Sequence, residues 1–324
     1  MALTKEHIFT LTCLKEIGIK GVGPKKVLSI GNTIKERNVS IESLEDLASF
    51  MKTMKERAIN SVKLEDLQKA YSYAMNIVEA SKTENIGLKG YYDEDFPESL
   101  RKTVDEEGKE NPPLLLWYRG DFSITKQPGI AVIGTREPTK EGVAGGKYLS
   151  GEFAKRGFNI VSGLAIGCDT CGHQGALDVN GKTTAILANG LDTKSIYPPE
   201  NRDLAENIVK NGGVLLSEYP INTSVNRYSL VARDRLQSGL AQATLVIQTG
   251  KVGGTMHAAK ATLEANKPLY VMLFKKEETN KQEKCLGNEV LHEQGAIYIK
   301  GNDNIDEICN NIKNRKVFKT DLFD

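Results

Sequence analysis

Residues 129 to 272 alternate short apolar runs with helix-sized amphipathic segments, and this alternation limits the fold more than any other feature. Six runs have the length and composition of buried strands: 130–133, 159–162, 183–187, 214–217, 245–248 and 269–272. Glycine or proline stands where several of the intervening helices should end. Parallel strands need crossover connections of helix size. The sequence therefore predicts an α/β fold with a doubly wound, mostly parallel, Rossmann-like sheet.

The flanking residues have different patterns. Over residues 1–90 apolar positions recur at helical spacing and no run alternates as a strand does, which predicts a small all-helical domain. Prolines and a charged stretch mark residues 91–127 as a connector that ends in a short strand-like run. Residues 128–302 then form the Rossmann-like domain, and 303–324 a C-terminal helix, over 304–313, and a tail. A length of 324 residues agrees with about two domains.

The charge balance shows that any anion-binding surface must come from local placement. The chain has 43 basic and 42 acidic residues, for a formal net charge of +1, so no bulk excess attracts nucleic acid. Five cysteines have no regular spacing, and lysine and glutamate interrupt the apolar positions of the N-terminus. We expect no disulfide framework, signal peptide, membrane span or membrane partner, which favours the cytoplasm.

A glycine-containing turn lies inside the predicted helical domain. Gly21 and Gly23 permit a tight turn, Pro24 suits the first position of a helix, and Lys25 and Lys26 follow at its positive end. The spacing resembles the helix-hairpin-helix, a module that often holds a DNA phosphate on its amides. We expect a secondary DNA contact there; a hairpin that only packs or contacts another protein is the alternative.

The turns after the predicted strands carry the chemistry. The ligand crevice of an open parallel sheet lies beyond the carboxyl ends of its strands. After the first strand comes Gly134-Thr135-Arg136, where an apolar run ends in a glycine, a hydroxyl and a guanidinium, as in a phosphate-binding turn. After the second strand, the amides from Gly163 to Gly167 are candidates to bind an anion, and Asp169 suits the start of the following helix.

The order and spacing of these turns resemble the DprA/Smf family of DNA-processing proteins. That family has a Gly-Ser-Arg turn, then Ser-Gly-x-Ala-x-Gly-Ile-Asp-x-x-Ala-His, and later Gly-Leu-Asp, Tyr-Pro and Ser-Glu. The matching segments are Gly134-Thr135-Arg136, Ser162-Gly163-Leu164-Ala165-Ile166-Gly167-Cys168-Asp169 with His173, Gly190-Leu191-Asp192, Tyr197-Pro198 followed by Asn201, and Ser217-Glu218. Lead-in and closing segments match as well, so the resemblance covers most of the chain. No C-terminal winged-helix domain is expected, because only a helix and a tail follow the sheet.

The sequence also departs from the family pattern. The family's Phe-Pro-x-Arg-Asn-Arg segment reads Leu230-Val231-Ala232-Arg233-Asp234-Arg235, which keeps both arginines, loses the aromatic residue and the proline, and adds a negative charge. The Ser-Gly-Ser/Thr turn after the fifth strand reads Lys251-Val252-Gly253-Gly254-Thr255. Asp234 is therefore expected to limit the strength of DNA binding.

The resemblance implies a homodimer that binds single-stranded DNA in a basic cleft, protects it and loads a RecA-type recombinase, without catalysis or a cofactor. The expected DNA or phosphate contacts are Gly134, Thr135, Arg136, Ser162, Gly163, Gly167, Arg233, Arg235, Lys251, Gly253, Gly254 and Thr255. The expected structural residues are Asp169, His173, Tyr197, Asn201 and Glu218. Each arginine would neutralise a phosphate and release counterions. The alternative for Arg233 and Arg235 is a pair of helix charges held by glutamate or aspartate.

Other functions stay open. The same sheet with a Gly-Gly-Thr turn resembles the Lonely Guy phosphoribohydrolases, in which a glutamate follows three residues after the threonine; here that residue is Ala258, which argues against hydrolysis but leaves a nucleotide-binding sensor. An interaction module in defence against foreign DNA, with decayed DNA binding, is another alternative. No metal or redox site is expected at Cys168 and Cys171, because this pair lacks a second cysteine pair.

Overall fold

The computed structural model describes residues 3–105 and 107–314, and the N-terminal part of this range is helical. In it, five α-helices precede the first strand: α1 (Lys5–Cys13), α2 (Pro24–Glu36), α3 (Leu44–Lys52), α4 (Arg57–Asn60) and α5 (Leu64–Thr83). Capping explains where two of them begin. Thr4 accepts a hydrogen bond from the amide of His7 at the start of α1, and Ser43 forms a capping box with Asp46 at α3.

The strands within the described residues form one nine-stranded sheet. They are β1 (Gly87–Gly90), β2 (Leu115–Gly120), β3 (Gly129–Ile133), β4 (Asn159–Ser162), β5 (Thr183–Leu187), β6 (Val214–Ser217), β7 (Ala243–Val246), β8 (Leu269–Met272) and β9 (Ile297–Ile299). Their order is β1-β2-β6-β5-β4-β3-β7-β8-β9. β2 runs antiparallel to both β1 and β6, and the other pairs are parallel. The predicted α/β class with a mostly parallel sheet is confirmed.

All six predicted strands are present; β3 begins one residue earlier than predicted, and β7 is displaced by two residues. It covers 243–246 instead of 245–248, because Gln248 turns toward the end of β3. There its backbone oxygen accepts a hydrogen bond from the Thr135 amide and its side chain bonds Thr139. The sequence does not predict β1 or β9, which are short and, in β1, contain two glycines, a residue that strands disfavour.

Helices cover both faces of the sheet. They are α6 (Glu98–Arg101), α7 (Lys140–Lys155), α8 (Cys168–Leu177), α9 (Arg202–Lys210), α10 (Arg227–Leu240), α11 (Gly254–Glu264), α12 (Glu277–Asn280), α13 (Leu286–Glu293) and α14 (Ile305–Asn314). Side chains alternate between the faces, so Val132 packs with α7 and α8 whereas Ile133 packs with α11. This alternation places α10 and α11 on the opposite face from α7 and α8.

The N-terminal helices pack on the β2 side of the sheet. Their apolar residues form one continuous cluster with α9 and with residues of β2, β5 and β6. Phe9 meets Trp117 there in an edge-to-face contact, with ring centroids 5.3 Å apart. The division of the chain into domains stays a prediction.

The strand order reverses between β3 and β7. β4, β5 and β6 lie on one side of β3, and β7, β8 and β9 lie on the other. Chain segments leave such a switch point in opposite directions and open a crevice at the carboxyl ends of the strands. Pairing of Ile133 with Val246 brings the ends of β3 and β7 level, so the turns that follow both strands face the same crevice.

α14 occupies the residues for which the sequence predicts a C-terminal helix. The predicted tail, from residue 315 onward, lies outside the described residues. Within residues 3–105 and 107–314 no helix has both the length and the apolar content needed to cross a membrane.

Candidate functional site

A cavity of about 550 Å³ lies at the switch point. Four separate parts of the chain form its wall: the turn at Gly134, the first turns of α10, the start of α11 with the loop before it, and Ala165 with Asp169 around the start of α8. A second cavity of about 180 Å³ adjoins it and shares Arg136, Ala165, Leu230 and Arg233. The switch-point cavity, as we call the larger one, is the candidate site.

Gly134 allows the turn after β3 to pack closely. A Cβ at this position would lie 2.6 Å from Cys168 Sγ and 2.7 Å from the Gln248 backbone oxygen. Thr135 is held by its backbone, whose amide donates to Gln248 O at 2.7 Å and whose oxygen accepts from the Cys168 amide at 3.1 Å. The rigid turn presents Arg136 to both cavities.

Arg136 is the exposed cation of this turn. Its guanidinium makes no hydrogen bond or ion pair with any other residue that the structure describes. Burial raises the pKa of Asp234, which lines the same cavity, and Arg136 is among the positive groups that oppose this rise. Arg136 therefore has its donors available for an anion.

The backbone amides of the turn after β4 already bind a carboxylate of the protein itself. Asp169 Oδ2 accepts hydrogen bonds from the amides of Gly163, at 3.1 Å, and Ala165, at 3.2 Å. Burial raises the pKa of Asp169 to about 6, although Arg233 and the two amides lower it. The prediction that these two amides bind an external anion is therefore wrong, because an internal carboxylate occupies them.

Ser162 and Gly167 have structural roles in this region. Ser162 is fully buried and its hydroxyl donates to the backbone oxygen of Val132, so it does not reach a ligand as predicted. Gly167 has φ of +84°, and a Cβ there would lie 2.5 Å from the carbonyl oxygens of Thr135 and Arg136. Glycine at 167 lets α8 begin directly beneath the Arg136 turn.

Arg233 lines the cavities but is largely held by the protein. It is 7% exposed, and its Nη1 donates to the backbone oxygens of Gly163, at 2.7 Å, and Ile186. Its Nε donates to Asp234 Oδ1 at 3.0 Å. A Cβ at Gly163 would collide with the guanidinium, so glycine makes room for it. Arg233 thus joins α10 to the ends of β4 and β5 and adds positive charge to the cavity wall.

Arg235 points away from the cavities. Its guanidinium forms a bidentate pair with Glu218, at 2.7 and 2.8 Å, and its Nε donates to Asn111 O at 2.8 Å. Neither cavity includes it among its wall residues. The predicted phosphate contact at Arg235 is therefore replaced by a structural ion pair that fastens α10 to the turn after β6.

The start of α11 is the third wall of the switch-point cavity. Gly253, with φ of +131°, caps the helix without a side-chain hydrogen bond, and Gly254 and Thr255 line the cavity. The free amides and the positive end of the helix dipole favour an anion at this place. Lys251 is exposed in the preceding loop but is absent from the walls of both cavities.

Three predicted structural residues lie around the smaller cavity and behind α8. Asn201 donates to Leu164 O at 2.8 Å and to Thr170 Oγ1 at 2.9 Å, whereas Tyr197 is partly exposed and lines the smaller cavity. His173 is fully buried and bonds Thr183 Oγ1 at 2.7 Å. Because that hydroxyl donates to Ile160 O, His173 Nδ1 must be the donor. Burial lowers the pKa of His173 to about 3, so the ring stays neutral.

The N-terminal hairpin lies apart from both cavities. Gly21 has φ of +93°, Gly23 caps α2 without a side-chain hydrogen bond, and Pro24 opens the helix. Lys25 is exposed, and Lys26 lies 3.6 Å from Glu56. The hairpin geometry agrees with the predicted turn, and whether it contacts DNA stays a prediction.

Comparison with known proteins assigns the chain to a family. The sequence profile of the family described as DNA recombination-mediator protein A matches residues 88–313, well over half of the chain. The chain belongs to this family. The predicted DprA/Smf resemblance is thereby confirmed.

Individual members of this recombination-mediator family agree with the assignment. Protein Smf of Synechocystis sp. is 40% identical over 164 residues, which cover 49% of this chain and 40% of that protein, so the match spans less than half of that relative. DNA processing protein DprA of Bacillus subtilis is 29% identical over 207 residues, covering 64% of this chain and 67% of the relative.

Solved structures of two family members share the fold. DprA from Streptococcus pneumoniae superimposes with a TM-score of 0.71 at 23% identity, over 95% of this chain and 99% of the other. DNA processing protein A from Helicobacter pylori, whose structure addresses a single-stranded DNA binding mode, gives a TM-score of 0.58 at 29% identity, over 70% of this chain and 95% of the other.

Arg227 and Gln237 line the cavity of this family member although the sequence patterns do not predict them as site residues. Arg227 is exposed and lines the switch-point cavity at the first position of α10. The capping box formed by Asn226 and Ser229 is the sequence signal that places Arg227 there. Gln237 is 2% exposed and also lines the cavity, three residues after Asp234.

The surroundings of the cysteines do not favour a reactive thiol or a metal site. The five cysteines, all within the described ranges, are unpaired and buried, and burial raises the pKa of the thiols of Cys168 and Cys171. A raised pKa lowers the thiolate fraction that nucleophilic or metal-binding cysteines need. Among the described residues, no three histidine, cysteine, aspartate or glutamate side chains are placed to share a metal ion.

Proposed function

We propose that this chain binds single-stranded DNA at the switch-point cavity through hydrogen bonds and ion pairs to its phosphates. The observation that carries the proposal is the exposed Arg136 guanidinium, which has no partner among the described residues and shares the cavity wall with the start of α11, where no side chain caps the helix. A guanidinium and a set of free helix amides are complementary to phosphate oxygens. The single-stranded DNA binding named for the Helicobacter pylori relative supports this choice of ligand.

The proposed contact set differs from the one expected from the sequence. It consists of the cavity-lining donors Thr135, Arg136, Arg227, Gly254 and Thr255, with Gly134 and Gly253 shaping the turns. Arg233 contributes charge from a fixed position, and Lys251 can meet a phosphate that extends beyond the cavity. Ser162, Gly163, Gly167 and Arg235 support the site without contacting DNA.

The family description supports a finer role. A recombination mediator brings single-stranded DNA to a RecA-type recombinase, and we propose that a homodimer of this chain protects the strand and delivers it in that way. No bond is made or broken in this role. The position at which the Lonely Guy enzymes carry a carboxylate is Ala258, which lies in the cavity wall and offers no acid or base.

Salt-dependent binding of oligo-dT tests the DNA proposal. Wild-type protein should bind, and the slope of log affinity against log salt should shrink by about 0.7 for each phosphate contact removed. Arg136→Ala should weaken binding about tenfold, a loss of about 1.4 kcal/mol, and adding Arg227→Ala should weaken it further. Arg37→Ala, an exposed arginine outside both cavities, is the matched control. Absent or salt-independent binding would overturn the proposal.

The mediator role has its own test. A RecA-type recombinase should assemble faster on single-stranded DNA precoated with a single-strand-binding protein when this chain is added, and the Arg136→Ala variant should lose the stimulation. Normal DNA binding without stimulation would leave a binding protein that is not a mediator.

A further inference from the structure

The switch-point cavity contains more hydrogen-bond acceptors than phosphate binding requires. Asp234 and Gln237 lie at positions i and i+3 of α10 and both line it, as does the exposed Glu137. Phosphate oxygens accept hydrogen bonds and carry negative charge, so a carboxylate beside them weakens their binding. These acceptors indicate that part of the ligand in this cavity donates hydrogen bonds.

A hydrogen bond fixes the orientation of the Gln237 side-chain amide. Its Nε2 donates to Asp234 Oδ1 at 3.3 Å, so its carbonyl group must point away from the carboxylate. Although Gln237 is 2% exposed, its Oε1 has no partner among the described residues. A buried acceptor without a donor costs free energy unless a ligand supplies one.

Asp234 is held in place on several sides. Arg233 Nε donates to its Oδ1 at 3.0 Å, and Oδ2 lies on the side of α11, 3.6 Å from where a Cβ of Gly254 would be. Arg233, His257 and Arg136 are the positive groups that act on it, and the buried carboxyl of Asp169 interacts with it unfavourably. A carboxylate oxygen accepts more than one hydrogen bond, so these contacts fix its position and leave it able to receive a ligand donor.

Exposed apolar side chains on the rim point to a base as the donor-bearing part. Tyr228 is 86% exposed on the first turn of α10, and Val252 is 87% exposed in the loop before α11. Val252 lines the cavity itself, as does Arg227, the neighbour of Tyr228 in sequence. Aromatic and apolar surfaces beside a phosphate site are where the unstacked bases of a single strand pack.

We propose that the switch-point cavity takes up one base of the bound strand and that Asp234 and Gln237 select a base with an exocyclic amino group. This selection rests on the proposed binding of single-stranded DNA. Cytosine, adenine and guanine carry an amino group that donates to such acceptors, whereas thymine presents a carbonyl oxygen where cytosine has its amino group. The aspartate that replaces the family's asparagine thus changes which bases are preferred.

Oligo-dC and oligo-dT of equal length are the matched probes, because their bases differ in the amino group. Measured by fluorescence anisotropy at one salt concentration and neutral pH, wild-type protein should bind oligo-dC about tenfold more tightly than oligo-dT. Asp234→Asn should bring this ratio toward one. Gln237→Met, which keeps the side-chain volume and removes the acceptor, should lower it as well. Thermal melting checks that both variants fold.

Arg136→Ala is the control that separates base selection from phosphate binding. It should weaken binding of both oligonucleotides and leave their ratio unchanged. Equal binding of the two by wild-type protein, or a ratio that survives both α10 substitutions, would overturn the selection while leaving DNA binding intact. Failure of wild-type protein to bind either oligonucleotide would instead overturn the proposed function, and the selection with it.

Discussion

The switch-point cavity and the N-terminal hairpin both place an uncapped helix start beside basic residues, yet their surroundings differ. At the cavity, the Gly134 turn is wedged against Cys168 and Gln248, and α10 and α11 close around Arg136. At the hairpin, a Cβ on Gly23 would meet nothing within 4 Å, and Lys26 lies near Glu56. We therefore expect a glycine turn with nearby cations to bind an anion strongly only where elements distant in the sequence converge on it.

The largest expected difference between the two turns is in stability. Gly134→Ala should lower the free energy of unfolding by about 3 kcal/mol, because its Cβ would overlap Cys168 Sγ and a backbone oxygen that cannot move independently. Gly23→Ala should cost less than about 1 kcal/mol, the difference between the two residues at a helix N-cap. Urea unfolding of both variants measures this, and equal losses would show that the cavity turn is no more tightly packed than the hairpin.

Burial of Asp169 makes the stability of the cavity region depend on pH. Its pKa is about 6 in the folded protein against an ordinary value of 3.8, so the folded state binds more protons between these two values. The free energy of unfolding therefore falls as pH rises through this window, by on the order of 3 kcal/mol in total. The difference in stability between wild type and Asp169→Asn should shift by most of this amount between pH 4 and 7, as measured by urea unfolding at each pH. A difference independent of pH would contradict it, and Gly23→Ala should follow the wild-type profile.

The sequence predicts the sheet well because its signal is local. Each strand is a short apolar run between helix-sized segments, and its boundaries depend on neighbouring residues. β7 shifts because Gln248 bonds Thr135 and Thr139, residues far from it in the chain. Local patterns cannot contain such a contact.

The site is predicted only in part, for the same reason. Gly134-Thr135-Arg136 follows directly from its position after a strand. Arg233 and Arg235 share one helix, yet the direction of each depends on carbonyl and carboxylate groups of other elements, such as Glu218 for Arg235. Asp169 is predicted at a helix start, but its capture of the Gly163 and Ala165 amides becomes visible only once the turn is folded.

Removing the negative charge of Asp234 should strengthen DNA binding at the cavity, whereas removing an acid from the N-terminal helices should not. Asp234→Asn should raise the affinity for oligo-dT about threefold, because the carboxylate near Arg136 opposes an approaching phosphate and a single charge interaction near a surface is worth up to about 1 kcal/mol. Fluorescence anisotropy at low salt measures it, and raising the salt should reduce the gain. Glu45→Gln, at an exposed acid in the first turn of α3, should leave this affinity unchanged. Weaker binding of oligo-dT by Asp234→Asn would mean that the carboxylate positions Arg233 for the ligand and does not oppose it.

The smallest effect should come from the hairpin lysines. Lys25→Ala combined with Lys26→Ala should lower the affinity for oligo-dT by less than about twofold. An ion pair between a solvent-exposed lysine and a phosphate contributes little free energy, and Lys26 already has Glu56 nearby. The salt slope should stay near that of wild type, whereas Arg136→Ala reduces it. A tenfold loss with a smaller slope would make the hairpin a second phosphate site of comparable strength. In that case exposed helix amides and lysines would be enough to bind a phosphate without a surrounding cavity. The difference between the two turns would then no longer explain where the DNA strand binds.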